Sequence, residues 1–264
     1  MKRVLIVVSL IVAAIVLGFA GLLALWRLNS SPFLSKAPEH GMVLIIDVQL
    51  AEPEGKADLG ALKEALGQRL SRRVGPIYWE QISPARIRII TRPVSPEELD
   101  KIKRVTCRSG LLEFRLVHEQ SQELVQSNEI PPGYELLKSR QRRPDGGTVT
   151  EQFVVKKRPE PGLGLGSIKQ AMVTKDNLGQ PQISFMMHPR AAAAFAQITR
   201  DNVGRRLAVM IDGELYTAPV IQSPIEMGNG QITGQFTLME AFDLANIMEY
   251  SLPIPITVVE SKSF

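Results

Sequence analysis

The chain has 264 residues, 44% of them hydrophobic and 22% charged, with a formal net charge of +4. That length allows one large domain or two small ones, and the single cysteine, Cys107, excludes an intramolecular disulfide and a cysteine-based metal cluster. Lys2, Arg3 and Arg27 flank an apolar N-terminus; without them the rest carries only about +1, so the charge argues weakly for a polyanion partner.

Val4 to Trp26 is almost wholly apolar, with Ser9 its one strongly polar side chain. About 23 residues make roughly 34 Å of helix, enough to cross a bilayer. A cleaved signal peptide has a shorter apolar run and a small-x-small site, whereas this run ends in Leu25-Trp26-Arg27-Leu28. The expectation is an uncleaved single-pass anchor over 1–28, held in the membrane through residues 4–26. Lys2 and Arg3 place the N-terminus in the cytoplasm, Trp26 sits at the opposite interface, and the body lies outside the inner membrane.

Residues 29–40, rich in Ser and Pro, read as a tether. Met42 to Gln49 is a strand with Met42, Leu44, Ile46 and Val48 on one face. Asp58 is placed to cap a helix in which Leu59, Leu62, Leu66 and Leu70 recur; Arg69, Arg72 and Arg73 fall in its last turn, where positive charge suits the dipole. Ile77 to Ile82 and Arg86 to Thr91 are strands. Ser95-Pro96-Glu97-Glu98 is a capping box opening a helix with Leu99, Ile102 and Val105 inward. Leu111 to Val117 is a further strand. Strand, helix, strand, strand, helix, strand is the split βαβ, ferredoxin-like order, so the expected class is α+β.

Periodicity fails from His118 to about Glu151, which reads as a polar loop. Strands return at Phe153 to Lys157, Ile168 to Thr174 and Gln182 to Met187. Pro189 to Asn202 is a helix, Arg206 to Ile211 an apolar strand, and Asp212-Gly213 a tight turn into Glu214 to Thr217. Gly228-Asn229-Gly230 and Gly234 bracket another turn. Thr237-Leu238-Met239-Glu240 caps a helix reaching Tyr250, and Ile256 to Glu260 is the last strand.

Chemistry is sparse. Pro161 to Lys169 is glycine-rich, but Lys169 is displaced from the last glycine and a strand follows, so it fails as a phosphate loop. His40, His118 and His188 lack ligand spacing. Glu80 and Glu113 could face one another on a sheet, although strand carboxylates are usually only solvated. Lys138 to Arg143 is the one basic cluster of the body: a solvated loop, or a contact for anionic lipid or an acidic partner. Ala191 to Phe195 with Ile198 forms an apolar helix face, a core surface unless exposed, in which case it could receive unfolded polypeptide. No enzyme, cofactor, metal or nucleic-acid partner is expected.

Leu111-Leu112-Glu113-Phe114-Arg115, Gly166 to Ala171, Gly179-Gln180-Pro181, and above all Thr199 to Ile221 followed by Gln231 to Thr237 and Leu252-Pro253-Ile254-Pro255, resemble the first periplasmic domain of the SecD (SecDF) protein-export family. The likeness covers about Gly41 to Ser261. It implies a ferredoxin-like base (41–118) with an inserted α+β head subdomain (119–252, including the polar loop 118–151) and a return strand over 253–264. The family-motif positions are Thr199, Asn202, Gly204, Asp212, Gly213, Ala218, Pro219, Gly234 and Pro253, expected to specify shape. The resemblance implies a periplasmic accessory module of the Sec machinery that contacts translocating polypeptide or translocon subunits. With one apolar span free of ionisable groups, a proton-coupled motor is not expected. Only Gly41 remains of the family's glycine pair, which supports the alternative of a SecD-derived envelope protein with a partner outside the translocon.

Overall fold

The computed structural model of the chain describes residues 31–49, 59–142, 148–177, 179–234 and 236–264, with backbone alone at 140–142 and 148. The expected anchor Val4 to Trp26, the Asp58 cap, residues 143–147 and Gln235 lie outside the described residues. Among the described residues no helix is long and apolar enough to cross a membrane.

In chain order the elements are β1 (Met42–Val48), α1 (Leu59–Val74), β2 (Tyr78–Ser83), β3 (Arg86–Thr91), α2 (Pro96–Cys107) and β4 (Leu112–Leu116). There follow α3 (Ser121–Ser127), β5 (Tyr134–Arg142), β6 (Thr148–Lys156), β7 (Ile168–Lys175), β8 (Pro181–Met187) and α4 (Pro189–Asp201). The chain ends with β9 (Leu207–Ile211), β10 (Glu214–Thr217), β11 (Asn229–Ile232), α5 (Leu238–Glu249) and β12 (Ile256–Ser263).

The base is a sheet in the order β12-β1-β3-β2, every neighbour antiparallel. Alternation along β1 sends Met42, Leu44, Ile46 and Val48 into one core, where they meet Leu62, Leu66 and Leu70 of α1 and Ile102 of α2. On α2 the Ser95 hydroxyl accepts the Glu98 N–H at 3.2 Å and Pro96 stands at the first turn, which gives the cap half of the expected box; the Glu98 carboxylate accepts from Arg73. Part of the tether belongs to the base: Phe33 bridges to Ile77 and its ring lies over Gly67, where a Cβ would come within 2.4 Å.

The fourth base strand is not Leu111 to Val117, as element order suggests. β4 instead pairs with β9 in the head, and β12 closes the base after the whole head has been traversed. The rival strands share an alternating apolar pattern, and only the pairing partner separates them.

The head holds the sheet β10-β9-β4, the sheet β11-β8-β7 and the ribbon β5-β6. Its main core joins Phe114 of β4, Ile183 and Phe185 of β8, Phe195 of α4 and Leu244 of α5; the Phe114 and Phe195 rings are 4.7 Å apart. On the other face of β9, Ala208 and Met210 meet Val155 of the ribbon. Covered on both faces, β9 is apolar throughout.

Two expectations fail here. Residues 118–151, read as a polar loop, form α3 and most of the β5-β6 ribbon. Their alternation is masked because one ribbon face is polar and solvated, and α3 spans only two turns. The glycine-bracketed turn near 230 is in fact β11, an edge strand against β8. Gly230 lies there because the Phe185 ring occupies the space a Cβ would need, 2.3 Å away.

Candidate functional site

The chain crosses between base and head twice, at 108–111 and 250–255, and one buried side chain holds both crossings. Arg69 of α1 is 0% exposed. Its Nε donates to Tyr250 O at 2.6 Å, Nη1 to Val105 O at 3.2 Å and to Arg108 O, and Nη2 to Ser109 O and Ile247 O, both at 3.1 Å. The five guanidinium N–H groups thus meet five carbonyls at and just beyond the C-termini of α2 and α5, the negative ends of both helices. Burial lowers the Arg69 guanidinium to about 9, which leaves it charged at neutral pH. Gly110 completes the packing: at φ +79° a side chain would be strained, and a Cβ would lie 2.2 Å from Ile247 O.

Neighbouring arginines add to the joint. Arg73 reaches Glu98 of α2 at 2.6 Å and Asp243 of α5. Arg72 donates to the Tyr250 hydroxyl at 2.9 Å and lies over its ring. Sequence reasoning placed these arginines at a helix dipole and missed the joint. The available signal was that Arg69 lies three residues beyond Leu66, on the apolar stripe of α1.

Asp212 secures the first crossing from the head side. With Gly213 it forms the expected two-residue turn, φ +52° and +79°. Its carboxylate accepts from Gly110 N (2.8 Å), Leu111 N (3.0 Å), Arg108 Nε (2.9 Å) and the Ser109 hydroxyl. Burial pushes the carboxyl up, but these donors outweigh it and hold it below the ordinary range. Arg108 also donates to the Tyr216 hydroxyl at 3.2 Å, and burial is the main cause that pushes the hydroxyl up to about 12.

The remaining motif residues do not converge on one site. The Thr199 hydroxyl donates to Phe195 O and accepts Ile225 N–H, both at 2.9 Å, pinning the loop after α4. Asn202 donates to Ile198 O and accepts from Arg205. Gly204 N–H donates to Ile221 O, Arg206 to Ala218 O, and Leu207 N–H to Pro219 O, lacing 218–221 to the start of β9. Gly234 lies beside the Phe236 ring, and Pro253 is exposed in the second crossing.

The apolar face of α4 is not a client surface: Ala191, Phe195 and Ile198 are buried in the head core. The exposed uncharged face lies on the sheet β11-β8-β7. Gln170 and Met172 of β7, Ser184 and Met186 of β8, and Asn229 and Gln231 of β11 line a hollow of about 460 Å³ that also borders Phe185 and Gly230. Met172 is 46% and Met186 39% exposed, and no lining residue is charged. Thioether side chains adapt to varied apolar partners.

The other candidates resolve plainly. Glu80 pairs with Arg88 in the base and Glu113 with Arg115 in the head, so the two carboxylates occupy different sheets. The glycine-rich segment leads into β7. His118 Nδ1 accepts the Gln120 N–H. Among the described residues no three His, Cys, Asp or Glu side chains are grouped to hold a metal.

Residues 135–254 match the family model for the SecDF P1 head subdomain. The chain is 36% identical over 167 residues to the protein translocase subunit SecD of Aquifex aeolicus, covering 62% of this chain and 31% of that protein. With the SecD of Rickettsia conorii it shares 28% identity over 271 residues, 94% of this chain and 51% of that one. A solved structure of SecDF, described as a membrane component that enhances protein export, superposes with a TM-score of 0.62 at 25% identity, covering 83% of this chain and 98% of the other.

This is a SecD P1 domain-containing protein. The chain spans between about a third and about half of the length of these two SecD relatives. The family model covers residues 135–254 of the inserted unit, and the likeness to the solved SecDF chain extends beyond them.

Proposed function

We propose that this chain is an accessory module of the protein-export machinery, anchored in the bacterial inner membrane through residues 4–26 with its P1 domain on the periplasmic side. Base strands in the order β12-β1-β3-β2, with two crossing helices, fit the ferredoxin-like base of that reading. The head contacts a translocating polypeptide or a translocon subunit and performs no covalent chemistry. The observation that carries the reading is the match to an export-enhancing SecDF over most of this chain. The uncharged methionine face of the head is the surface it assigns to contact.

The division of labour follows from the joint. A contact surface transmits force only if it is fixed to something, and Arg69, Arg73 and Asp212 fix the head to the base. Proton coupling is not asked of the P1 residues and belongs in this reading to intramembrane groups. A photo-reactive residue at Met186 tests the reading in working membranes. Adducts with a secreted chain or a translocon subunit are expected; adducts solely with an unrelated envelope protein, or none during active export, reject it.

A further inference from the structure

The β11 strand has one free edge. Met187 N–H donates to Gly228 O, and the antiparallel register runs Asn229↔Met186, Gly230↔Phe185, Gln231↔Ser184 and Ile232↔Ile183. In such a pair alternate residues turn their N–H and C=O toward the neighbour. Gly228, Gly230 and Ile232 therefore face β8, and Asn229 and Gln231 face outward. Among the described residues, those outward backbone groups have no hydrogen-bond partner. Both residues are exposed, and β11 has no other neighbour in its sheet.

We propose that β11 receives an extended stretch of polypeptide as an added strand, continuing the sheet β11-β8-β7. This rests on the polypeptide-contacting reading above and specifies its mode. The outward N–H and C=O of Asn229 and Gln231 alternate with strand spacing, which an extended backbone matches and a compact ligand does not. Alternate side chains of the guest stand beside Asn229 and Gln231 and extend the uncharged face of the sheet, which suits small apolar or hydroxyl side chains. Gly230 belongs to the opposite, core face of the sheet, where its missing Cβ leaves room for the Phe185 ring and holds β11 close against β8. An edge this short offers only a few backbone hydrogen bonds. Binding is therefore weak, fast and tolerant of sequence, as contact with many passing clients requires.

The test uses the full 264-residue chain and a fluorescent peptide of alternating valine and threonine. Anisotropy reads affinity, and hydrogen exchange reads the amides of Asn229 and Gln231. The peptide is expected to bind and to slow exchange at those two amides. N-methylation of alternate peptide amides weakens binding by about tenfold, the loss of a backbone hydrogen bond or two. Gln231→Pro, which removes an outward N–H at an edge where proline is tolerated, weakens it similarly, and Gln231→Ala does not. The methylated peptide needs no variant, so misfolding cannot mimic the result. Undiminished binding of the methylated peptide, exchange unchanged at both amides, or no binding of the peptide at all overturns strand addition. The wider reading fails separately, through absent crosslinks at Met186.

Discussion

Arg69 gives the sharpest test of the joint. Of its five carbonyl acceptors, Ser109 O also receives Leu252 N–H at 2.7 Å. Replacing Arg69 with methionine keeps much of the volume and strands the other four: Val105, Arg108, Ile247 and Tyr250. At about 1 kcal/mol each, the low end for a buried unsatisfied group, the loss is about 4 kcal/mol. Relief from burying a cation offsets part of it, so about 3 kcal/mol is expected for R69M. Lysine keeps the charge but has only three donors for those four carbonyls, so R69K strands at least one and costs about 1–2 kcal/mol. Arg72, 46% exposed at its side chain, is the control: R72A should cost under about 1 kcal/mol. Urea unfolding followed by Trp79, which packs against the base core, ranks the three variants. Typical domains hold about 5–15 kcal/mol, so the ranking is measurable. If R69M unfolds within about 1 kcal/mol of the parent, the carbonyls find other donors and the account of the joint is wrong.

Three further outcomes follow from the geometry. Because Asp212 is held below its ordinary value, its stabilisation is full at neutral pH and is lost as pH falls below 3.8 through the lowered value. D212N, which keeps the left-handed backbone acceptable, should cost about 2 kcal/mol at pH 7, with the gap closing in acid denaturation curves. T199V removes the acceptor of Ile225 N–H and should cost about 1–2 kcal/mol in thermal unfolding, with T199S restoring most of it. G230A must displace the Phe185 ring from 2.3 Å and should cost about 1–3 kcal/mol by urea unfolding.

Local structure was legible where one physical signal dominated. The Ser95 and Thr237 capping patterns became capped helices, and Asp212-Gly213 became the hairpin turn. The apolar stripe of α1 and the alternation of β1 gave the base core. What stayed hidden depends on partners distant in sequence. Element order points to β4 as the strand that closes the base and the family resemblance to a return strand over 253–264; the two have similar patterns, and the pairing of β12 with β1 separates them. β11 was concealed because Gly228 and Gly230 look like turn residues, yet the second is small to admit an aromatic ring from the next strand. Arg69 was concealed by its type. An arginine late in a helix is ordinary, and its acceptors lie as far as 181 residues away.

The order of the chain explains why the joint needs so much polar reinforcement. The head is inserted between α2 and β12, so the base sheet cannot close until about 150 intervening residues have found their place. Apolar packing alone would leave the relative placement of two separate cores weakly specified, because hydrophobic contact is non-directional. Directional bonds remove that freedom. Arg69 reads the ends of two helices at once, and Asp212 reads four successive residues of the first crossing. Both are satisfied only when α2, α5 and the β9-β10 turn arrive in one arrangement. The joint therefore acts as a check on assembly, since a misdocked head leaves a buried cation and its carbonyls unpaired at a cost comparable to a large share of the domain's stability.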